Sequence, residues 1–517
     1  AARVTYSYLS CGPNAGKAAT ATLAESANGG AWVTVGAVAY SYYDGVEANG
    51  TLGDLKSAIV TDSVSAEVAT KYYRYYAVGE SGGYAGGLKY LIEGPLYDQF
   101  AASVGNPETA TDAQLAPFAG MYFEFDGSKR VTHEVVSAAG CSVCSGGQGA
   151  YSFAYATNPS AGSSPDFNTW VEKTTETLPD GNENIVFSNL FGQVLLSVHR
   201  ETASGLEWLT GYQYDSAQRV IATFAPSALS GYDESLPDLL GLSDANSPWV
   251  RDAAGLVSVF NYAGVTTASS TTVGSAAGYL EGWSIQRGEF GAIVPQEALG
   301  FVSRQAAGVT TYHVAADTVF ANDDGTGART TTFGYDWYAD SQMAYSVTTT
   351  MPAVTTAHNG SGTATSSTVV MDTEGRPIWS KDEAGYISNV QYDQATGAVI
   401  KTIADVDTTQ TGTFANLPTG WATPSGGGRH LTTTFEVDAE GRTTMMVDPN
   451  GNVTFMLYSD GGREVRTYGG WNLSTNRPTG PTVVSKVDPD GRFVDSLTMS
   501  ATPATRAGSA LMRTLDG

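Results

Sequence analysis

The sequence contains few basic residues. Its 517 residues include 27 Lys and Arg against 52 Asp and Glu, so the formal net charge is -25 at pH 7. Because nucleic-acid binding depends on Lys and Arg at the phosphate groups, we expect no nucleic-acid partner. An acidic surface of this kind favours solubility and the attraction of cations instead.

Long apolar segments are also missing. No run approaches the roughly 18 consecutive apolar residues of a membrane-spanning helix, so we expect no transmembrane segment. The chain is nevertheless 42% hydrophobic and 11% aromatic, with 15% charged residues, a composition that supports a large folded core. It begins inside a strand pattern and stops after a turn pattern, and we therefore expect it to be part of a longer protein.

Cysteine is scarce, with three residues in the chain. Cys141 and Cys144 have the short spacing of redox motifs and of half a zinc site, but the surrounding sequence shows neither a βαβ pattern nor four ligands. We expect a local Cys141–Cys144 disulfide in an oxidising compartment. Two buried free thiols, or a metal pair completed by another chain, are the alternatives, and Cys11 is an odd thiol that could join chains.

Catalytic motifs are equally rare. The five His residues are scattered singly, without an H-E-x-x-H motif, so we expect them to be structural. Residues 79–83, GESGG, match the G-x-S-x-G pattern of hydrolases, but a strand pattern follows them where a helix is needed, which predicts a hairpin turn. We expect no enzyme and no catalytic, cofactor-binding or metal-binding residues. The acidic turns 322–325, 405–407 and 488–491 offer clustered oxygens that suit weak Ca²⁺ binding, although none matches a full calcium-binding loop.

Helix patterns are nearly absent, because Gly, Thr, Ser and Tyr recur where Ala, Leu, Glu and Lys would lie. Strand patterns dominate instead. β-branched and aromatic residues lie between clusters of Gly, Asp, Asn and Pro, as in 68–76, 185–190, 194–198, 330–335 and 483–487. The sequence predicts an all-β protein.

One turn pattern recurs between these strands. In its fullest form Gly follows an Asp after three residues and Arg follows after four. Asp bonds to the backbone two residues on, and Gly supplies the positive φ of a tight reversal, so each unit predicts a β-hairpin. The repeat-turn residues are Asp215, Arg219, Asp372, Gly375, Arg376, Asp393, Gly397, Asp438, Gly441, Arg442, Asp448, Gly451, Asp488, Gly491 and Arg492.

A single two-stranded hairpin is not stable in water, so tandem hairpins must bury themselves against their neighbours. These units resemble the YD repeats of the bacterial Rhs proteins, which also occur in toxin-complex shell proteins and teneurins. The strongest stretches are FGQVLLS (191–197), YDSAQRV (214–220), MDTEGRPI (371–378), YDQATGAV (392–399) and VDAEGRTTMMVDPNGNVT (437–454). The resemblance implies a tandem-hairpin solenoid that winds into a curved or hollow shell.

The repeats divide the chain into regions. Residues 1–120 are β-rich but divergent, 121–410 and 431–517 carry the YD-repeat shell, and 411–430 form a loop insertion. Residues 225–247 are also rich in Gly, Pro and Ser, and we expect both loops to lie on the surface, as tolerated insertions or as contact sites.

These observations predict a structural protein. We expect it at the bacterial cell surface or in the extracellular space, as a β-shell or fibre that serves adhesion, matrix or enclosure. Its expected partners are proteins or glycans, or further copies of itself. The alternative is the shell of an Rhs polymorphic toxin, which would enclose an effector lying outside this chain.

Overall fold

The computed structural model describes residues 2–25, 31–62, 65–137, 147–163, 166–242, 246–459, 463–487 and 494–499. The chain divides into two compact units. Residues 1–152, 390–403 and 431–517 belong to unit 1, and residues 153–389 and 404–430 belong to unit 2.

The first stretch of unit 1 consists of eight described strands. Each pairs antiparallel with the next along the chain. They are β1 (Ala2–Tyr8), β2 (Ala18–Glu25), β3 (Val33–Tyr42), β4 (Leu55–Asp62), β5 (Glu67–Tyr75), β6 (Leu88–Glu93), β7 (Met121–Phe125) and β8 (Val131–Ser137).

Unit 2 continues the same pattern after β9 (Gln148–Thr157), which crosses the unit boundary. Its strands again pair antiparallel in chain order. They are β10 (Glu172–Thr177), β11 (Glu183–Ser188), β12 (Val194–Glu201), β13 (Leu206–Tyr214), β14 (Val220–Phe224), β15 (Leu256–Tyr262), β16 (Leu280–Arg287), β17 (Ile293–Ala306), β18 (Val309–Val319), β19 (Arg329–Trp337), β20 (Ala344–Thr350), β21 (Ser366–Met371) and β22 (Pro377–Lys381).

The chain then returns to unit 1 through β23 (Ile387–Tyr392). Within this last stretch the described pairs again join neighbours in the chain, and β28 pairs with β31 across a short ribbon of β29 and β30. The strands are β24 (Val399–Ala404), β25 (Leu431–Val437), β26 (Thr443–Val447), β27 (Val453–Ser459), β28 (Glu464–Tyr468), β29 (Trp471–Asn472), β30 (Arg477–Pro478), β31 (Thr482–Val487) and β32 (Val494–Met499).

The predicted all-β architecture of tandem antiparallel hairpins is confirmed. The winding of these hairpins into a hollow shell stays a prediction. Among the described residues no helix is both long and apolar enough to cross a membrane.

The core of unit 2 follows from strand alternation. On β11 the side chains of Ile185 and Phe187 are buried, whereas those of Asn184 and Val186, which alternate with them, point to the opposite face. Trp170 packs edge-on against Phe187, with ring centroids 5.4 Å apart. The burial of such side chains contributes roughly 25 cal/mol per Å² of apolar surface.

The expectation that residues 225–247 form a surface loop is wrong. Leu229, Leu239 and Leu240 of this segment are at most 2% exposed and belong to the hydrophobic core of unit 2. The segment lacks strand alternation, as its Gly and Pro content predicts, but its leucines cover the open face of the hairpins. It is therefore part of the packing.

The helix content of unit 1 also differs from the expectation. Helix α1 (Pro95–Ser103) and helix α2 (Asp112–Leu115) interrupt the strands between β6 and β7. Phe100 of α1 and Leu115 of α2 pack with Tyr72 and Ile92 in one buried cluster. Pro at the first position of α1 and the Thr111–Gln114 capping box of α2 are local helix signals, but both helices are too short to show a long apolar stripe.

Candidate functional site

The repeat turn is a hydrogen-bonded clamp centred on one carboxylate. At Asp372 the Oδ1 atom accepts the backbone N–H of Glu374 at 3.0 Å and of Arg376 at 2.8 Å. The Oδ2 atom accepts the Nε–H of Arg376 at 2.8 Å. Gly375, with φ of 80°, donates its backbone N–H to the carbonyl of Asp372 at 3.1 Å. The Asp, Gly and Arg positions of the repeat therefore have separate physical roles in one reversal.

The same clamp closes other turns in both units. The Nε–H of the Arg donates to Oδ2 of the Asp four residues earlier in the pairs Asp126–Arg130, Asp215–Arg219 and Asp438–Arg442. The residue before the Arg has a positive φ each time, but it is not always Gly. Gly441 has φ of 80°, whereas Lys129 and Gln218 both have φ of 65°. For residues with a Cβ this conformation is strained by roughly 1 kcal/mol.

Variants of the turn replace the Arg. Asp448 receives a hydrogen bond from the side chain of Asn452 at 2.8 Å, with Gly451 in the positive-φ position. Asp393 begins a turn one residue longer, in which its backbone N–H donates to Ala398 and Gly397 has φ of 74°. The predicted residues Asp488, Gly491 and Arg492, and also Cys141 and Cys144, lie outside the described residues.

One clamp was not identified from the sequence because its first residue is Asn. The Oδ1 atom of Asn189 accepts the backbone N–H groups of Phe191 and Gln193, both at 3.0 Å. The Nδ2 group of Asn189 donates to Gln193 Oε1 at 2.9 Å, and Gly192 has φ of 76°. The spacing of Asn189, Gly192 and Gln193 is that of the Asp turns, and this spacing is the signal that identifies the turn.

The clamps also set the protonation of their carboxylates. Hydrogen bonds from Arg219 hold the pKa of Asp215 below its usual range. At Asp372 partial burial acts to raise the pKa, but hydrogen bonds from Arg376 outweigh it and lower the pKa. These carboxylates are thus charged hydrogen-bond acceptors at neutral pH.

Two of the three acidic turns considered for Ca²⁺, 322–325 and 405–407, direct carboxylate oxygens to hydrogen bonds within the protein, and the third, 488–491, lies outside the described residues. The two carboxylate oxygens of Asp405 accept backbone N–H groups of Gly428 and Arg429, at 2.7 and 3.0 Å. Asp407 accepts from Thr409, and Asp324 accepts from Thr326. Among the described residues no group of three His, Cys, Asp or Glu side chains is placed to hold a metal ion.

The loop 411–430 is attached to unit 2 by aromatic contacts. The ring of Phe414 meets the buried ring of Trp379 edge-on at 5.2 Å, and Lys381 lies 4.9 Å from the ring centroid of Trp421. His430 accepts the backbone N–H of Asp407 at its Nδ1 atom. This hydrogen bond of His430 connects the end of the loop 411–430 to the segment that precedes it.

The G-x-S-x-G segment is a hairpin turn. It connects β5 to β6. At the base of the turn the backbone N–H of Tyr76 donates to the carbonyl of Gly87 at 2.9 Å. Glu80 of this turn contacts Lys89 through its carboxylate. Because a strand follows the Ser, the segment lacks the strand-to-helix elbow that exposes a catalytic nucleophile.

A buried charge cluster of unit 1 attaches the helical segment 95–118 to the β5–β6 hairpin. Arg74, 4% exposed, donates from Nη1 to Asp112 Oδ1 at 2.8 Å and from Nη2 to the carbonyl of Ala110 at 2.9 Å. Lys89, 7% exposed, contacts the carboxylates of Asp112 and Glu80. Two buried cations therefore share one carboxylate of α2.

The pKa values of this cluster agree with ion pairing. Burial acts to lower the pKa of Lys89, but hydrogen bonds to Asp112 and Glu80 raise it above its usual value. Burial acts to raise the pKa of Asp112, but hydrogen bonds from Lys89 and Arg74 lower it. Both cations and the shared carboxylate are charged at neutral pH, so the cluster is an anchor with no free base or nucleophile at Lys89.

No family model and no curated protein matches the chain. Among solved structures it is similar to the crystal structure of TcdB2-TccC3, with a TM-score of 0.31 and 11% identity over 94% of this chain and 25% of that chain. For TcdB2-TccC3 without its hypervariable C-terminal region the TM-score is 0.30, with 12% identity over 98% of this chain and 23% of that one. The chain therefore spans about a quarter of the chains it matches, and values this low do not assign it to a family.

Proposed function

We propose that this chain is a structural protein of the bacterial cell surface or extracellular space, whose hairpins form part of the wall of a β-shell or fibre. The observation that supports this most directly is the pairing pattern. Each strand from β11 to β22 pairs with the strand before it and the strand after it, so each hairpin completes the hydrogen bonding of its neighbours.

The turn clamps support the same role. Where a clamp fixes a reversal, it sets the register of the two strands that the turn joins, and register decides which side chains face the core. Repetition of one clamp therefore yields a long sheet with a constant inward and outward face. In this proposal the chain acts by enclosure, spacing or adhesion, without a cofactor and without bond-making chemistry.

Within this role we favour a wall of a YD-repeat shell over an open fibre, because the sequence segments that resemble YD repeats lie in both units. Enclosure of an effector that lies outside this chain, as in an Rhs polymorphic toxin, is the more specific form of the proposal. Adhesion or matrix formation is the other form, with protein or glycan partners.

Electron microscopy of the natural full-length polypeptide tests the proposal. Hollow particles with a continuous wall are the expected result, and internal density would indicate an enclosed effector. Filaments or mats would support the fibre form. Solid particles with neither an interior nor a repeating wall would overturn the structural role in both forms.

A further inference from the structure

Four residues of unit 2 lie opposite one another on four neighbouring strands. Glu176 on β10 is opposite Asn184 on β11, Asn184 is opposite His199 on β12, and His199 is opposite Trp208 on β13. We call these four residues the outer row. Their strand neighbours Ile185, Val198 and Leu209 are buried in the core of unit 2, so the outer row lies on the face that points away from this core.

The polar members of the outer row are held in one orientation. A carboxylate can only accept, so the Nδ2 group of Asn184 donates to Glu176 Oε2 at 2.8 Å. The Oδ1 atom of Asn184 then faces His199 Nδ1 at 2.9 Å, and this nitrogen must be the donor. The carboxylate of Glu176 at the end of the row therefore fixes which atoms of Asn184 and His199 donate and which accept.

Three of the four side chains keep one polar atom for a ligand. Within the described part of the chain, Glu176 Oε1, His199 Nε2 and Trp208 Nε1 have no hydrogen-bond partner. His199 Nε2 is an acceptor in the neutral ring, and the indole N–H is a donor. The row therefore presents two acceptors and one donor that are already ordered before a ligand arrives, which reduces the entropy lost on binding.

The end of the row is apolar and open. Trp208 is 46% exposed, and its ring lies 5.8 Å from the His199 ring with an angle of 40° between the planes. A pyranose ring is a ligand group that packs well on an exposed indole face. It offers C–H groups on its flat side and hydroxyl groups at its edge. The indole face is electron-rich and suits the C–H groups, whereas the row suits the hydroxyl groups.

Charge and length narrow the ligand class. The net charge of -25 and the carboxylate of Glu176 oppose nucleotides and acidic saccharides. Three strand spacings give the row a length of about 14 Å, which is close to three linked pyranose units. We propose that the outer row binds a neutral oligosaccharide, with one sugar on Trp208 and the next ones hydrogen-bonded to His199, Asn184 and Glu176. This binding role goes beyond the wall function and does not depend on it.

Titration calorimetry with the full chain tests the proposal. The probes are cello-, chito-, laminari-, manno- and xylohexaose, each up to about 10 mM, because single sheet-face sites bind weakly. We expect at least one probe to bind and Trp208→Ala to weaken it at least tenfold. Trp208→Phe should weaken binding less than Trp208→Ala, because the ring face remains while the indole N–H is lost, and Asn184→Ala should weaken binding severalfold because His199 loses its orienting partner.

Trp32→Ala is the matched control, since Trp32 is 41% exposed but lies on unit 1 beside Arg3. It should leave the affinity unchanged. Circular dichroism must show the same fold and thermal midpoint for all variants. Failure of every probe to bind, or equal binding by wild type and Trp208→Ala, would overturn the proposal while leaving the result from microscopy untouched.

Discussion

Arg219 connects its own turn to a segment 59 residues further along the chain. Its Nε–H donates to Asp215 Oδ2 at 2.8 Å, and its Nη1 donates to the carbonyl of Gly278 at 3.1 Å. The guanidinium also lies 4.4 Å from the ring centroid of Tyr262. A repeat-turn residue thus holds a hairpin and its later neighbour together within unit 2.

Acid should weaken this clamp. The pKa of Asp215 is lowered in the folded state, so its stabilisation is present above the unfolded pKa of about 3.9 and is lost as the pH falls through the lower folded pKa. At pH 7 we expect Asp215→Asn to lower the free energy of unfolding by about 0.5–1 kcal/mol. Urea titrations from about pH 7 to pH 3 should show the difference from wild type shrinking at the acid end. A difference that stays constant with pH would contradict the ion-pair account.

Replacing Gln218 by Gly should stabilise the protein. Gln218 occupies the turn position that Gly375 takes in the related turn, with φ of 65° against 80°. We expect Gln218→Gly to raise the free energy of unfolding by about 0.5–1 kcal/mol, because relief of the left-handed strain exceeds the entropy cost of Gly.

The reverse substitution supplies the control. A Cβ at Gly375 would meet no atom within 4 Å, so Gly375→Ala tests the backbone conformation alone and should cost about 1 kcal/mol. Equal stability of both variants and wild type in thermal unfolding would show that the positive φ carries no strain.

Leu240→Ala tests whether residues 225–247 belong to the core. Leu240 is 1% exposed, and we expect its truncation to cost about 2–5 kcal/mol because a cavity remains. Leu206→Ala, at a side chain that is 56% exposed, should change stability by less than about 0.5 kcal/mol. A small effect of Leu240→Ala in chemical denaturation would mean that the segment is a dispensable surface insertion after all.

Asp112→Asn should release the helical segment of unit 1. It leaves Arg74 and Lys89 buried without their shared carboxylate, and we expect a loss of about 3 kcal/mol, the lower end for a broken buried pair because Asp112 is itself 40% exposed. Chymotrypsin cleavage after Phe100 should become faster. Asp98→Asn, at an exposed position of α1, should leave both readouts unchanged, and resistance of Asp112→Asn to cleavage would rule out the anchor.

The repeat turns of this structure could be predicted from the sequence, whereas the long-range tertiary contacts could not. Asp372, Gly375 and Arg376 act on one another within five residues, so their spacing predicts the reversal. Arg74 and Asp112 are 38 residues apart, and no local pattern joins them. The burial of Leu239 and Leu240 likewise depends on which face of the hairpins is left uncovered. That face is known only from the folded structure.

The outer row could not be predicted from the sequence either. Glu176, Asn184, His199 and Trp208 form no motif in the sequence. They come into line because the registers of three successive hairpins happen to agree, and a shift of one residue in any of them would move a member to the buried face. Sites of this kind become visible once the pairing of strands is known.

The order of strand pairing also bears on how the polypeptide reaches its native state. When paired strands are adjacent in the chain, each new strand can pair with the edge strand that has already formed. Little loop entropy is then lost before the contacts form. Such a chain can assemble progressively while it emerges from the ribosome, growing from the end made first.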